Sequence, residues 1–281
     1  CAAWEDGWQL PQAVPRADGG IKVVLHGTFP KNCVASNAIN VIDRQEYVDR
    51  LVRRLWKSLG GTITGAAVEG AAPPDARLLA EHVARALPEV IRDINKPSDN
   101  TLARLLFLSL GALEPDDKLG SRPQPGSAAT TLSRSEAVAR DWMRTHGIDD
   151  TGLVIENGAG LSRIERITPI QLAGILQAGL RSNWAPEFQA SIPIAGVDGT
   201  MHRRLQESPA AGRARLKTGT LSNAVALAGY VPDASGRSCV LVAMVNSDRI
   251  DHGRGRAVLD ALVDWVARLD GTPTAGASTV G

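Results

Sequence analysis

The sequence has no excess of charge of either sign. Its 31 Lys and Arg residues face 30 Asp and Glu, a formal net charge of +1, so it lacks the field that marks a nucleic-acid or anionic-membrane partner. No apolar run reaches the roughly 18 residues that a membrane-spanning helix needs. The opening CAAWEDGWQLPQ has neither the basic start nor the apolar centre of a secretion signal. The chain therefore reads as soluble, without a transmembrane segment. The three cysteines, Cys1, Cys33 and Cys239, form no CxxC pair, and the five histidines are scattered with none in HExxH, so no metal is expected. There is no glycine-rich loop followed by Lys and Ser or Thr, and no GxSxG elbow, so no cofactor is expected either. Methionine is missing from the start. Residue 1 is Cys and the first methionine is Met143, so the chain reads as part of a longer translation product.

What is present is an ordinary globular composition, 281 residues and 43% apolar, enough for one large domain or two modest ones. IKVVLHGTFP, residues 21–30, reads as a strand ending at Pro30. Asp43 with Glu46 opens a helix whose apolar residues, from Tyr47 to Leu59, recur at helical spacing before Gly60 and Gly61 stop it. TITGAAVEG at 62–70 reads as a further short strand, and AAPP at 71–74 as a boundary. From Asp75 to Asn95 the pattern is helical, kinked or divided at Pro88. TLARLLFLSLG at 101–111 is apolar on nearly every side and predicts a helix buried in its domain. A Pro, Gly and Ser rich loop covers about 115–130. Ser133 with Glu136, and Thr168 with Gln171 after Pro169, announce two more helices.

After residue 212 the period shortens to that of strands. RARLKTGT, AVALAGYVP and CVLVAMVN are separated by SN and DASGRS, spacing that suits antiparallel neighbours. HGRGRAVLDALVDWVARL then predicts an amphipathic helix on that sheet, and 271–281 a frayed tail. Cys239 reads as a small buried hydrophobe. The whole is α+β, with a strand-helix-strand unit over 1–72 before a helical cluster and antiparallel sheet over 73–270.

Two short motifs can carry chemistry, KPSDN at 96–100 and KTGT at 217–220. Singly, each has a structural explanation: Ser98 and Asp99 are good helix caps, and Lys217 on an edge strand discourages intermolecular pairing. Together they supply what acyl transfer to or from a peptide needs. A lysine at a strand edge attracts a carboxylate, and a serine hydroxyl relays a proton. Asn100 offers a donor and an acceptor to a peptide amide. Gly219, having no side chain, lets an extended peptide lie along the strand as an added neighbour.

SDN before TLARLLF, NGAGLSR at 157–163, PIAGVDGTMHRRL at 193–205 and RLKTGTLSNAVALAGYV, in this order, resemble the class C low-molecular-mass penicillin-binding proteins, the D-alanyl-D-alanine carboxypeptidase and endopeptidase family. VVLHGTFPKNC with the helix and TITG after it is similar to the end of that family's inserted domain, a feature that separates the chain from the β-lactamases. The resemblance implies a penicillin-binding-protein and β-lactamase-like transpeptidase fold, here incomplete. It implies a serine-type peptidase acting through an acyl-enzyme on peptidoglycan stem peptides ending in D-Ala-D-Ala, with β-lactams as ligands of the complete enzyme and the periplasm or cell envelope as its place. Ser98, Asn100 and Lys217 are then catalytic. Thr218, Gly219 and Thr220 bind substrate, with the two hydroxyls on its carboxylate and the Thr220 N–H in the oxyanion hole. In such a compartment Cys1 and Cys33 can pair, leaving Cys239 as a thiol.

Two departures stand out. Ala159 replaces the serine usual in NGSGLSR. More consequentially, no serine in the 281 residues has lysine three positions later, whereas the family's nucleophile and base sit in an SxxK turn near the amino terminus. The chain is thus expected to be a carboxy-terminal portion, inactive alone and awaiting the amino-terminal part of the same protein. The alternative is a non-catalytic module that binds peptidoglycan peptides and has lost the nucleophile. Incubation of the chain with a fluorescent penicillin should give no covalent adduct; a stoichiometric adduct on any of its serines contradicts this expectation.

Overall fold

The sheet comes from the three runs after residue 212. In the computed structural model, which describes residues 9, 11–34, 41–70, 73, 75–118 and 120–270, the chain divides into two units, residues 1–81 and 82–281.

In the first unit, β1 (Gln12–Pro15) pairs antiparallel with β2 (Ile21–Val24). The predicted strand over 21–30 is therefore cut short at Val24, before Gly27 turns the backbone at φ +106. Helix α1 (Arg44–Ser58) starts where expected: Asp43 Oδ1 accepts from the Gln45 and Glu46 amides. The Glu46 carboxylate does not complete a capping box; it pairs with Arg50 instead. Residues 62–70 form no strand. Their carbonyls at Ile63 and Gly65 accept from the Arg53 guanidinium at 3.3 and 2.9 Å, and among the described residues no strand pairs with them. Cys33 is buried and disulfide-bonded; Cys1, its expected partner, lies outside the described residues.

The second unit holds the sheet, β5 (Arg215–Leu221), β6 (Ala224–Pro232) and β7 (Ser238–Asn246), antiparallel in the order β5-β6-β7. Period-two alternation gives it two apolar faces. Leu216, Val225, Leu227, Val231 and Leu241 pack against Leu259, Val263 and Val266 of the last helix, α7 (His252–Ala267). On the opposite face Tyr230, Ala228 and Val242 meet Leu176 of α5 (Pro169–Arg181) and Phe188 of α6 (Ala185–Ser191). There the buried Tyr230 hydroxyl donates to the Leu176 carbonyl at 2.7 Å, and burial pushes its pKa up to about 12. Cys239, expected in the core, is half-buried near the start of β7 and packs against the first face.

Helix α2 runs only over Leu87–Asn95. Residues 75–86, read as helical, are not. Pro88 suits the first turn of a helix but not its interior, and Leu78, Leu79 and Val83 are 76 to 82% exposed among the described residues; without a packed face a short helix is marginal. Helix α3 (Asn100–Ala112) forms as expected, yet it is not buried all round. Gly111 is its buried residue while Leu105 and Leu110 are exposed. Its close contact is with α4 (Thr131–Thr145): a Cβ at Gly111 would lie 2.4 Å from the Thr131 carbonyl, and the Gly111 N–H donates to the buried Ser135 hydroxyl. Leu102, Leu106, Phe107 and Leu108 are half-buried, Phe107 lying against Gly158.

The stretch expected as loop between these helices contains a hairpin, β3 (Leu113–Asp116) with β4 (Gly120–Pro123), held partly by Arg122 with Glu114. Helix α4 is capped by Thr130, not Ser133. The Thr130 hydroxyl accepts from the Ser133 amide at 3.1 Å, and Glu136 is taken by Arg140. The box at α5 forms as read, Thr168 N–H donating to Gln171 Oε1 and Gln171 N–H to the Thr168 hydroxyl. No helix among the described residues is long and apolar enough to cross a membrane, and the expected frayed tail, 271–281, lies outside them.

Candidate active site

A groove of about 520 Å³ lies between the KPSDN turn, the 157–161 loop and the KTGT strand, with Ser98, Asn100, Lys217, Thr218, Gly219 and Thr220 all on its walls. The six residues singled out in the sequence thus meet in one place. A larger cavity of about 650 Å³, walled by Val138, Trp142, Met143 and Ile175, is nearly all apolar and meets the groove only at Gly158 and Gly160; it gathers no comparable set of polar groups.

The turn is built by the end of α2. Lys96 N–H still donates to Arg92 O, Asp99 N–H reaches back to Ile94 O at 2.9 Å, and Asp99 Oδ1 caps α3 by accepting from Leu102 N–H at 2.8 Å. Between them Ser98 is forced to φ +63, which among described non-glycine residues only Leu205 shares. That conformation costs about 1 to 3 kcal/mol and persists only where neighbours enforce it. It aims the Ser98 hydroxyl across the groove, where it accepts from Lys217 Nζ at 2.6 Å.

Lys217 stands on β5 opposite Ala228 and so shares the sheet face that looks toward α5 and α6. Its ammonium also donates to the Thr218 carbonyl at 3.0 Å. No carboxylate pairs with it among the described residues. Burial pushes its pKa below the ordinary lysine value, because a desolvated ammonium lacking a counter-ion is disfavoured. Such an amine gives up its proton more readily than a surface lysine.

Asn100 opens α3, and its amide nitrogen donates to the Ala159 carbonyl at 2.6 Å. The amide oxygen has no partner among the described residues and can accept from a ligand. The 157–163 loop that holds it turns at Gly158 and Gly160, both at positive φ. It is pinned by Asn157 Oδ1 accepting from Ala159 N–H and by Glu165 accepting from the Asn157 and Gly158 amides. The residue that departs from NGSGLSR therefore contributes its backbone here.

The outer edge of β5 is half covered. Residues 193–195 run alongside its start, Leu216 N–H donating to Pro193 O at 2.8 Å and Ile194 bridging Arg215. Pairing stops one residue before Lys217, and from there to Leu221 the edge is unpaired among the described residues. A Cβ built at Gly219 would meet only the Ala226 methyl, at an ordinary 3.5 Å, so the fold itself does not require glycine there.

Two contacts were not legible as functional. Thr200, on a single 3-10 turn (Gly199–Met201), touches the Thr218 hydroxyl with its own at 2.9 Å. Lys96 Nζ donates to Asp198 Oδ2 at 2.7 Å and to Ile192 O at 2.8 Å, tying the turn to the 192–201 segment. Both lie in or touch PIAGVDGTMHRRL, which marks the resemblance without assigning these side chains a task. Among the described residues no group of three or more His, Cys, Asp or Glu is placed to hold a metal ion.

The fold is that of penicillin-binding proteins. A crystal structure of penicillin binding protein 4 (dacB) from Haemophilus influenzae superposes with a TM-score of 0.67 at 22% identity, covering 94% of this chain and 57% of that one. In sequence, the chain is 29% identical over 232 residues to a D-alanyl-D-alanine carboxypeptidase of Actinomadura sp. strain R39, covering 79% of this chain and 41% of that protein. It is 32% identical over 193 residues to carboxypeptidase DacB of Mycolicibacterium smegmatis, 66% of this chain and 38% of that protein. The chain thus spans about two fifths of the length of these curated relatives. The profile of the D-Ala-D-Ala carboxypeptidase 3 (S13) family matches residues 7–269, and the chain belongs to that family.

A lysine with a lowered pKa binds fewer protons in the folded than in the unfolded chain between its folded pKa and the ordinary value, so its contribution to stability rises with pH across that window. Lys217→Met should therefore raise the urea midpoint near neutral pH and remove part of the alkaline gain. Midpoints at several pH values check this; equal midpoints for parent and variant near neutrality contradict it.

Proposed function

We propose that this chain carries the substrate strand and two of the three catalytic motifs of a serine-type D-Ala-D-Ala carboxypeptidase or endopeptidase acting on peptidoglycan stem peptides in the bacterial cell envelope. The observation that carries this reading is the half-buried Lys217 ammonium on the Ser98 hydroxyl beside a strand edge left unpaired among the described residues. A stem peptide extends along β5 past Gly219, its backbone hydrogen-bonding to the free edge. The Asn100 oxygen accepts from a peptide N–H, and Thr218 and Thr220 donate to the terminal carboxylate.

A serine from outside these 281 residues, its hydroxyl proton taken by a base that also lies outside them, attacks the carbonyl of the penultimate D-alanine. The Thr220 N–H stabilises the oxyanion. Ser98 passes its proton to the departing amine and regains one from Lys217, so the terminal D-alanine leaves neutralised and an acyl-serine remains for water to hydrolyse. The same steps cut a cross-link when the departing amine belongs to a neighbouring stem. The exposed apolar surface of α3 and α4, including Leu105 and Trp142, suits coverage by the rest of the same protein.

A second reading has one observation in its favour, the absence of any serine followed by lysine three positions later: a module that holds such peptides without cleaving them. Both readings require binding at β5. NMR titration of the isotope-labelled chain with acetylated L-Lys-D-Ala-D-Ala should move the amide signals of Thr218, Gly219 and Thr220, and the L-Ala-L-Ala diastereomer should bind more weakly. Asn100→Ala should weaken binding about tenfold, the worth of one buried hydrogen bond. Gly219→Ala should weaken it while leaving unfolding within about 0.5 kcal/mol. Peptide-induced shifts confined to other surfaces, or none, would falsify the reading.

A further inference from the structure

Thr200 reaches the groove from a segment that belongs to neither motif, yet it touches both. Its N–H donates to the Lys96 carbonyl at 3.1 Å, on the Ser98 side, and its hydroxyl meets that of Thr218 at 2.9 Å, on the strand side. The approach to Lys96 is close enough to exclude a side chain next door. Gly199 sits at φ +53, and a Cβ there would lie 2.5 Å from Lys96 O. Before it, Asp198 Oδ1 accepts from Ile194 N–H and Oδ2 from Lys96 Nζ, both at 2.7 Å. After it, the Met201 side chain is wholly buried among Leu216, Val225 and their neighbours. Held on both sides, the Thr200 hydroxyl has a fixed place, as a group that positions another must have.

Two hydroxyls in contact use one proton between them and leave the other to point elsewhere. Neither the Thr200 nor the Thr218 hydroxyl has a further partner among the described residues. The groove beside them is walled by Lys217, Ser98 and Thr220. The remaining proton is free to turn into a space lined by a cation and hydroxyl donors, the surroundings of an anion. Resting on the peptidase reading above, we infer that Thr200 is a positioning residue for the substrate's terminal carboxylate, holding the Thr218 hydroxyl so that the pair donates to that anion.

The test compares acetylated L-Lys-D-Ala-D-Ala with its C-terminal amide on the 281-residue chain and on Thr200→Val, Thr200→Ala and Thr200→Ser, with thermal melts as a check on folding. The parent should prefer the acid. Thr200→Val and Thr200→Ala should each lose about tenfold in affinity for the acid and little for the amide, and Thr200→Ser should restore the preference. Unchanged acid-to-amide ratios in both hydroxyl-deleting variants, or equal losses for both ligands, overturn this inference and leave the peptidase reading standing. Binding of neither ligand by the parent chain overturns both.

Discussion

The contact between the Lys217 ammonium and the Ser98 hydroxyl joins residues 119 positions apart at 2.6 Å, and neither residue is at ease in it. Ser98 holds a left-handed backbone, and Lys217 keeps a charge in a half-dry place with hydroxyl and carbonyl oxygens as its neighbours. Both conditions lower stability. They persist because each residue stands on a rigid element, the end of a capped helix on one side and a strand packed on two apolar faces on the other. A strained, desolvated pair on rigid supports is oriented before any ligand arrives, which suits the proton transfer proposed for it.

The two supports are spliced together by the 192–201 segment. It lies beside the first residues of β5, it grips Lys96 through Asp198 and the Ile192 carbonyl, and it ends in the buried Met201. By stopping at Leu216 it stabilises the start of the strand and leaves the part bearing KTGT open. The 157–163 loop does the corresponding work for Asn100, holding its amide nitrogen on the Ala159 carbonyl. The site is therefore a meeting of four chain segments, of which two carry the side chains with evident chemistry and two hold them.

Features that depend on near neighbours in the chain were legible in the sequence. The three strands and the last helix follow from periods of two and of 3.6 residues, and the Thr168 to Gln171 box from chemistry within one turn. Errors arose where a distant partner decides. The apolar residues at 78, 79 and 83 look helical but stay exposed among the described residues. The apolar surface of α3 predicts a burial that the described residues supply only in part, Leu105 and Leu110 staying exposed. At α4, Thr130 and Ser133 are both able to cap, and the actual start three residues earlier settles on Thr130. Ser98, Asn100 and Lys217 were legible because residue type and order are distinctive. Asp198 and Thr200 were not, because their places are defined by Lys96, 102 residues from Asp198, and by Thr218, 18 residues from Thr200.

The energetic link between the two motifs can be measured without any ligand. A double-mutant cycle on unfolding free energy with Ser98→Ala, Lys217→Met and the pair isolates their interaction, because the backbone strain at 98 is common to both limbs. Contact in one network should give a coupling of at least about 0.5 kcal/mol. Effects that add within about 0.3 kcal/mol would mean that the hydroxyl and the amine do not meet, and the peptidase reading of the groove would lose its foundation.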